Sequence, residues 1–239
     1  MEHISLTRPA GSSKRHLPKS FEILYEDEDI IVVDKPPGLL TMATDKGTTR
    51  TVYFYLTDYV RKGNSRSRKR IFIVHRLDRD ASGILVFAKN ETAKFRLQSQ
   101  WQEVTKKYLA VVHGRFKKRS DTIRSYLTEN RAFIVYSTPD AAKGKLALTG
   151  YTVLKETAHL SFLEINLLTG RKHQIRVHLA EIGHPIVGDK KYGKKFKGHT
   201  RLALHAFSIT FRHPTTGKMI AFETKMPEFF GKLVGAMFR

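Results

Sequence analysis

Apolar residues along this chain fall mostly in alternating or short continuous runs, the pattern of strands, with a few stretches at helical spacing. FEILYEDED (21–29) and IIVVDKPPG (30–38) read as two short strands, the second ended by Pro36 and Pro37. TVYFYLTDYVRK (51–62) reads as a helix, and ETAKFRLQSQWQ (91–102) as another, N-capped by Asn90. KKYLAVVHG (106–114) is a strand. Six strand-like runs follow it: TIRSYLTEN, AFIVYST, KLALTGYTVLKE, HLSFLEINLL, LALHAFSITF and MIAFETKM. One helix interrupts them at KHQIRVHLAEIG (172–183), where Ile175, Leu179 and Ile182 share helical spacing and Gly183 suits the C′ position. Runs of antiparallel-type strands with a few helices predict an α+β fold around a mixed, largely antiparallel sheet flanked by helices and loops.

Charge changes this picture from a fold to a partner. The 239 residues carry 43 Lys and Arg against 22 Asp and Glu, a net +21, and such a surface attracts polyanions. The excess is concentrated in two Gly-punctuated loops. RKGNSRSRKR (61–70) offers Arg66, Arg68, Lys69 and Arg70, and DKKYGKKFKGHTR (189–201) offers Lys190, Lys191, Lys194, Lys195 and Lys197. Long cationic side chains on loops reach phosphates, so a nucleic acid is the expected partner. Neither loop has the apolar face of a membrane-lying helix, and no run approaches the length of a membrane span. Cysteine is absent, which excludes disulfides, thiolate metal sites and a Cys nucleophile. Residues 1–20 read as a basic flexible arm without the apolar core of a signal peptide, followed by one domain over 21–239. A cytoplasmic monomer without an obligate protein partner is the expectation.

Two motifs suggest chemistry and fail. GDKKYGKK (188–195) has the spacing of a phosphate-binding loop, but Lys195 stands where a hydroxyl must hold Mg²⁺, and no clear strand leads through it into a helix. His173 and His178 share one helix at a spacing that points them apart, whereas paired ligands want i, i+4. No metal or cofactor site is expected.

VHRLDRDASGILVF (74–87) remains. If IFIVHRLD is extended, Phe72, Val74, Arg76 and Asp78 share one face and Ile71, Ile73, His75 and Leu77 the other, which places Arg76 and Asp78 together at a strand end. Spacing alone serves equally well an acid that merely closes an Asx-turn at Asp78 or Asp80.

HRLDRDASGILVFAK, then KKYLAVVHG, then LLTGRKHQIRVHLAEIGHPIVGDKKYG resembles the RluA type of pseudouridine synthase, in the same order and with matching spacing. IIVVDKPPGLL (30–40) and RLALHAFSITFRHP (201–214) extend the similarity to nearly everything from residue 21 onward. The resemblance implies the pseudouridine synthase catalytic fold with an active-site cleft on its sheet, in a short form without an N-terminal S4-type RNA-binding domain. It implies isomerisation of uridine to pseudouridine in large-subunit rRNA or tRNA, with no cofactor, because the reaction involves no redox change. Asp78 matches the family's catalytic carboxylate, which attacks C1′ or takes a proton from C2′. Arg176 matches its basic partner. Tyr108 matches the tyrosine that stacks on the uracil and removes the C5 proton. Because the base must leave its stack, Arg76 is the candidate to fill the gap. Two rivals stand beside this reading: a catalytically silent RNA-binding or ribosome-assembly protein with the same fold, and a nucleotidyl or phosphoryl transferase using residues 188–195.

Overall fold

The structure is a computed structural model in which residues 17–18, 21–43, 50–193, 199 and 201–235 are described. The expected arm over 1–20 lies almost wholly outside them, as do Lys194, Lys195 and Lys197. The described chain forms eleven strands and four helices, an α+β fold with a mixed, largely antiparallel sheet. It divides into two compact units, Met1–Val104 with Ser208–Thr224, and Thr105–Phe207 with Lys225–Arg239.

In the first unit, β1 (Glu22–Glu26) pairs with β2 (Ile30–Lys35), and β2 pairs with β4 (Ser82–Ala88), both antiparallel. β3 (Phe72–Ile73) adds to β4. The last five residues of β10 (Leu204–Arg212) pair with β11 (Met219–Glu223). Every residue of β4 and all but Asp34 of β2 are buried, which explains their continuous apolar runs. Helix α1 (Val52–Arg61) starts where the Thr51 side chain accepts the Phe54 N–H, and it buries Val52, Leu56 and Tyr59 at i, i+4 and i+7. Helix α2 (Glu91–Ser99) starts at Asn90, whose side chain accepts the Ala93 N–H at 2.8 Å as the sequence predicts.

The second unit is an antiparallel ladder in the order β5 (Thr105–His113), β9 (Leu160–Leu167), β8 (Lys145–Glu156), β6 (Ser120–Glu129), β7 (Val135–Thr138). Helix α3 (Gln174–Glu181) falls inside the predicted 172–183, and Gly183 follows it at φ 89. A further helix, α4 (Glu228–Val234), escapes the sequence pattern. It is about two turns long and contains Gly231, so burial of Phe230 and Val234 stabilises it where propensity does not.

One expectation is corrected. IFIVHRLD does not run as a strand, because only Phe72 and Ile73 pair and the chain leaves the sheet at Val74. The alternation breaks with it: Val74 and Leu77 are buried, Arg76 is exposed, and Asp78 is half-buried.

Candidate active site

The segment from Val74 to Ala81 has left the ladder, so its backbone polar groups need other partners. Side chains supply them. The Nε2 atom of His75 accepts the N–H of Val86 at 3.0 Å, a donor that a longer β3 would have met. Thr41 uses one hydroxyl twice, accepting the Leu77 N–H at 3.2 Å and donating to the Leu77 carbonyl at 3.1 Å. Beyond Asp78, the Arg79 carbonyl accepts from Lys35 Nζ at 3.0 Å and from the Gly38 N–H at 2.8 Å. Both neighbours of Asp78 in sequence are therefore clamped from DKPPGLLT (34–41), the end of β2 and the residues that follow it. Gly38 stands at φ 85, a conformation that suits glycine, and Pro36 and Pro37 stiffen the approach.

Lys35 is fully buried at the end of an apolar strand, and its ammonium donates also to the carbonyls of Pro36 at 3.0 Å and Leu39 at 2.9 Å. Burial pushes its pKa down to about 8, against the charges of Asp78, Asp80 and Asp34, which oppose the shift. A cation beneath the Asp78 turn supplies both hydrogen bonds and positive potential there. The sequence reading does not single it out, although a lysine closing IIVVDKPPG just before two prolines is visible as an anomaly.

The same unit carries Arg76 and the first basic loop. Arg66, Arg68, Lys69 and Arg70 are exposed. Arg70 is partly engaged: it pairs with Glu91 at 3.2 Å and its guanidinium lies 4.9 Å from the Phe72 ring centre. Asp27, Asp29 and His213 bring ligand-type atoms close together. Asp27 is already the centre of a hydrogen-bond hub, accepting from Tyr25, His213 and the N–H groups of Asp29 and Ile30. That hub fastens the turn after β1.

The second unit carries Tyr108 and Arg176. Tyr108 sits buried on β5, and Lys106, two residues earlier on the same face, is buried too, which lowers its pKa. Helix α3 is fixed by its polar residues. Gln174 donates to the Leu148 carbonyl and to Thr149 Oγ1 while its own oxygen accepts the Arg171 N–H. His178 stands between Ser125 and Thr149, 2.9 Å from each hydroxyl. Arg176 projects from this helix into a buried fork with Asp189, with Nε to Oδ2 at 2.8 Å and Nη2 to Oδ1 at 2.9 Å. Burial would raise the Asp189 carboxyl, but Arg176 and the N–H groups of Tyr192 and Lys191 outweigh it and hold it below the usual carboxylate range. The guanidinium also lies 5.2 Å from the Tyr192 ring centre.

Residues 188–193 are thus a turn organised by Asp189. Gly188 is obligatory in it, at φ 77 and with a Cβ position only 1.9 Å from the Arg201 carbonyl oxygen. No helix forms over these residues. Lys190 is exposed, and Lys191 is half-buried, donating to the Phe133 carbonyl. The charge pattern of this stretch points to a grip on phosphates and gives no sign of the part played by Asp189, whose partner is thirteen residues away.

The sequence model of the RNA pseudouridylate synthase family matches residues 29–181. The chain is 38% identical over 215 residues to an uncharacterised RNA pseudouridine synthase of Mycoplasma pneumoniae, covering 87% of this chain and 68% of that one. It is 33% identical to the ribosomal large subunit pseudouridine synthase D of Zymomonas mobilis, over 94% of this chain and 74% of the other. Among solved structures, human RNA pseudouridylate synthase domain containing 1 superposes with a TM-score of 0.71 at 28% identity, covering 90% of this chain and 86% of that one.

Proposed function

Because the chain belongs to the RNA pseudouridylate synthase family, in its RluA-type branch, and is on that ground an isomerase acting on RNA, we propose that it converts specific uridines of large-subunit rRNA or tRNA to pseudouridine, with Asp78 as the reacting carboxylate. The observation that carries the role of Asp78 is the double clamp. With Leu77 held by Thr41 and Arg79 by Lys35 and Gly38, the Asp78 carboxylate is presented by backbone that is hydrogen-bonded on both sides of it.

The bond from ribose C1′ to uracil N1 breaks, the base turns, and C1′ joins C5. Asp78 either attacks C1′, forming an ester bond that C5 displaces as C1′–C5 forms, or takes the C2′ proton and returns it as C1′ joins C5. In both routes the departing uracil carries the electron pair of the broken bond. The proton on C5 is then lost to Tyr108, whose ring stacks on the base, and N1 ends protonated. Arg176 is the cation assigned to keep Asp78 ionised, and Arg76 the side chain assigned to fill the stack the uridine leaves. Arg66, Arg68, Lys69, Arg70, Lys190, Lys191, Lys194, Lys195 and Lys197 are assigned to the RNA backbone. In this reading residues 21–239 act as one catalytic domain behind a basic arm, as a cytoplasmic monomer, without metal or cofactor.

The test is Asp78→Asn, assayed on unmodified rRNA and tRNA transcripts by mapping pseudouridines. Turnover should fall by on the order of 10³-fold or more, with fold and RNA affinity retained. A folded Asn variant with wild-type turnover overturns the mechanism. Wild-type protein that binds RNA and modifies none returns the reading to a silent RNA-binding protein.

A further inference from the structure

At the turn joining β6 to β7, Phe133 stands at φ 58, in the left-handed region that an aromatic residue rarely adopts. Asn130 enforces it. Its side-chain oxygen accepts the N–H groups of Ala132 and Ile134, and its carbonyl accepts the N–H of Phe133 at 2.9 Å. Core packing does not offset that strain, because Phe133 is 68% exposed.

Cations surround the ring. Lys172 Nζ lies 5.5 Å from its centre, Lys191 donates to its carbonyl, and Arg131 beside it is exposed. Adjoining is a concavity of about 400 Å³ whose lining includes Lys143, Lys145, Arg171 and Lys172, with Glu129 as its carboxylate. Lys172 pairs with Glu129 and Lys143 with Asp140, while Lys145 and Arg171 make no ion pair among the described residues. Arg171 is nonetheless oriented, since its Nε donates to the Leu146 carbonyl at 3.0 Å. Gly170 keeps the floor open, with nothing within 4 Å of where a Cβ would stand.

We propose that this surface holds an unpaired nucleotide of the RNA, its base stacked on Phe133 and its phosphates among Lys145, Arg171 and Lys172. The proposal rests on the RNA-modifying reading above and deepens it. An exposed aromatic ring with cations at its margin is the chemistry of single-strand recognition, since every base offers a π-face and every linkage a phosphate. The substrate is thereby specified as an RNA with a flexible nucleotide besides its target uridine, selected by strandedness more than by sequence.

The experiment compares affinity for a short single-stranded oligoribonucleotide and for a blunt RNA duplex of equal length, with the strand carrying 5-iodouridine for photocrosslinking. Phe133→Ala should weaken strand binding by about 5- to 100-fold and leave duplex binding unchanged. Phe133→Tyr should restore strand binding and the crosslink, whereas Phe133→Leu should restore neither. Arg171→Ala should flatten the salt dependence of strand binding, by roughly 0.7 in log–log slope for each phosphate it no longer neutralises. Full strand affinity in the Leu variant identifies an apolar docking surface and overturns the proposal, as does equal weakening toward strand and duplex. Wild-type protein that binds the strand through Phe133 yet forms no pseudouridine keeps this surface and removes the catalytic reading. Pseudouridine formation with strand binding indifferent to Phe133 does the reverse.

Discussion

The two units fix a charged side chain by opposite means. Around Asp78 the structure holds the backbone: Leu77 and Arg79 are tied through carbonyls and N–H groups, and the fully buried cation nearby, Lys35, donates to three carbonyl oxygens. Around Arg176 it holds the side chain itself, in a buried fork with Asp189. A clamped backbone fixes the point from which its carboxylate projects, as a reacting group requires. A forked ion pair ties two of a guanidinium's five N–H groups to structure, which makes it a well-defined support with a high desolvation cost.

Removing Asp189 should therefore do the greatest damage. Asp189→Ala removes both acceptors of the buried fork and should cost about 3–5 kcal/mol, while Asp189→Asn, which still offers one acceptor, should cost less. Denaturant unfolding followed by circular dichroism reads both, and an Ala variant as stable as wild type would show that the fork is not what holds Arg176. Lys35→Met should cost about 1–3 kcal/mol near pH 7, since three carbonyls each lose a hydrogen bond.

The sharper difference is in pH response. With a folded pKa near 8 against an ordinary 10.5, the unfolded chain keeps a proton on Lys35 that the folded chain has released. The contribution of Lys35 to stability should therefore rise as pH climbs from about 8 to 10.5, and Lys35→Met should lose that slope. The second unit responds at the other end of the scale. Burial, helped by Arg201, pushes His205 down to about 4, and burial also lowers His113 and His178. Between 6.5 and 4 the unfolded chain takes up protons that the folded chain refuses, so stability should fall as pH falls. His205→Gln should make that fall shallower, and an unchanged acid limb would rule His205 out as a contributor. The smallest effect expected is that of Thr41→Val, about 1 kcal/mol, with turnover at saturating RNA reduced as the Leu77 clamp loosens. Wild-type turnover in that variant would reduce the clamp to a matter of folding alone.

How much of this structure is legible in the sequence follows from range. Strands such as KLALTGYTVLKE and the Asn90 cap can be read because alternation and capping are relations between residues a few positions apart. The order of the three motifs singles out Asp78 and Arg176. It does not disclose that Thr41 binds Leu77 across 36 positions, or that Lys35 reaches Arg79 across 44. Extending β3 through Asp78 fails for the same reason: IFIV alternates well, but the ring of His75 takes the N–H of Val86 that pairing would have used, an interaction no period encodes. Phe133 does not stand out in AFIVYST, because nothing in that string marks an aromatic residue at positive φ.

The ring of His75 has one more neighbour. Trp101, the chain's only tryptophan, has its ring centre 4.6 Å away. The intrinsic tryptophan emission of this protein therefore originates beside the histidine that begins the Asp78 turn. Each wild-type molecule carries an unlabelled optical gauge at this turn, with a signal from one place only, so that stopped-flow mixing with RNA can time the turn's response against the appearance of product.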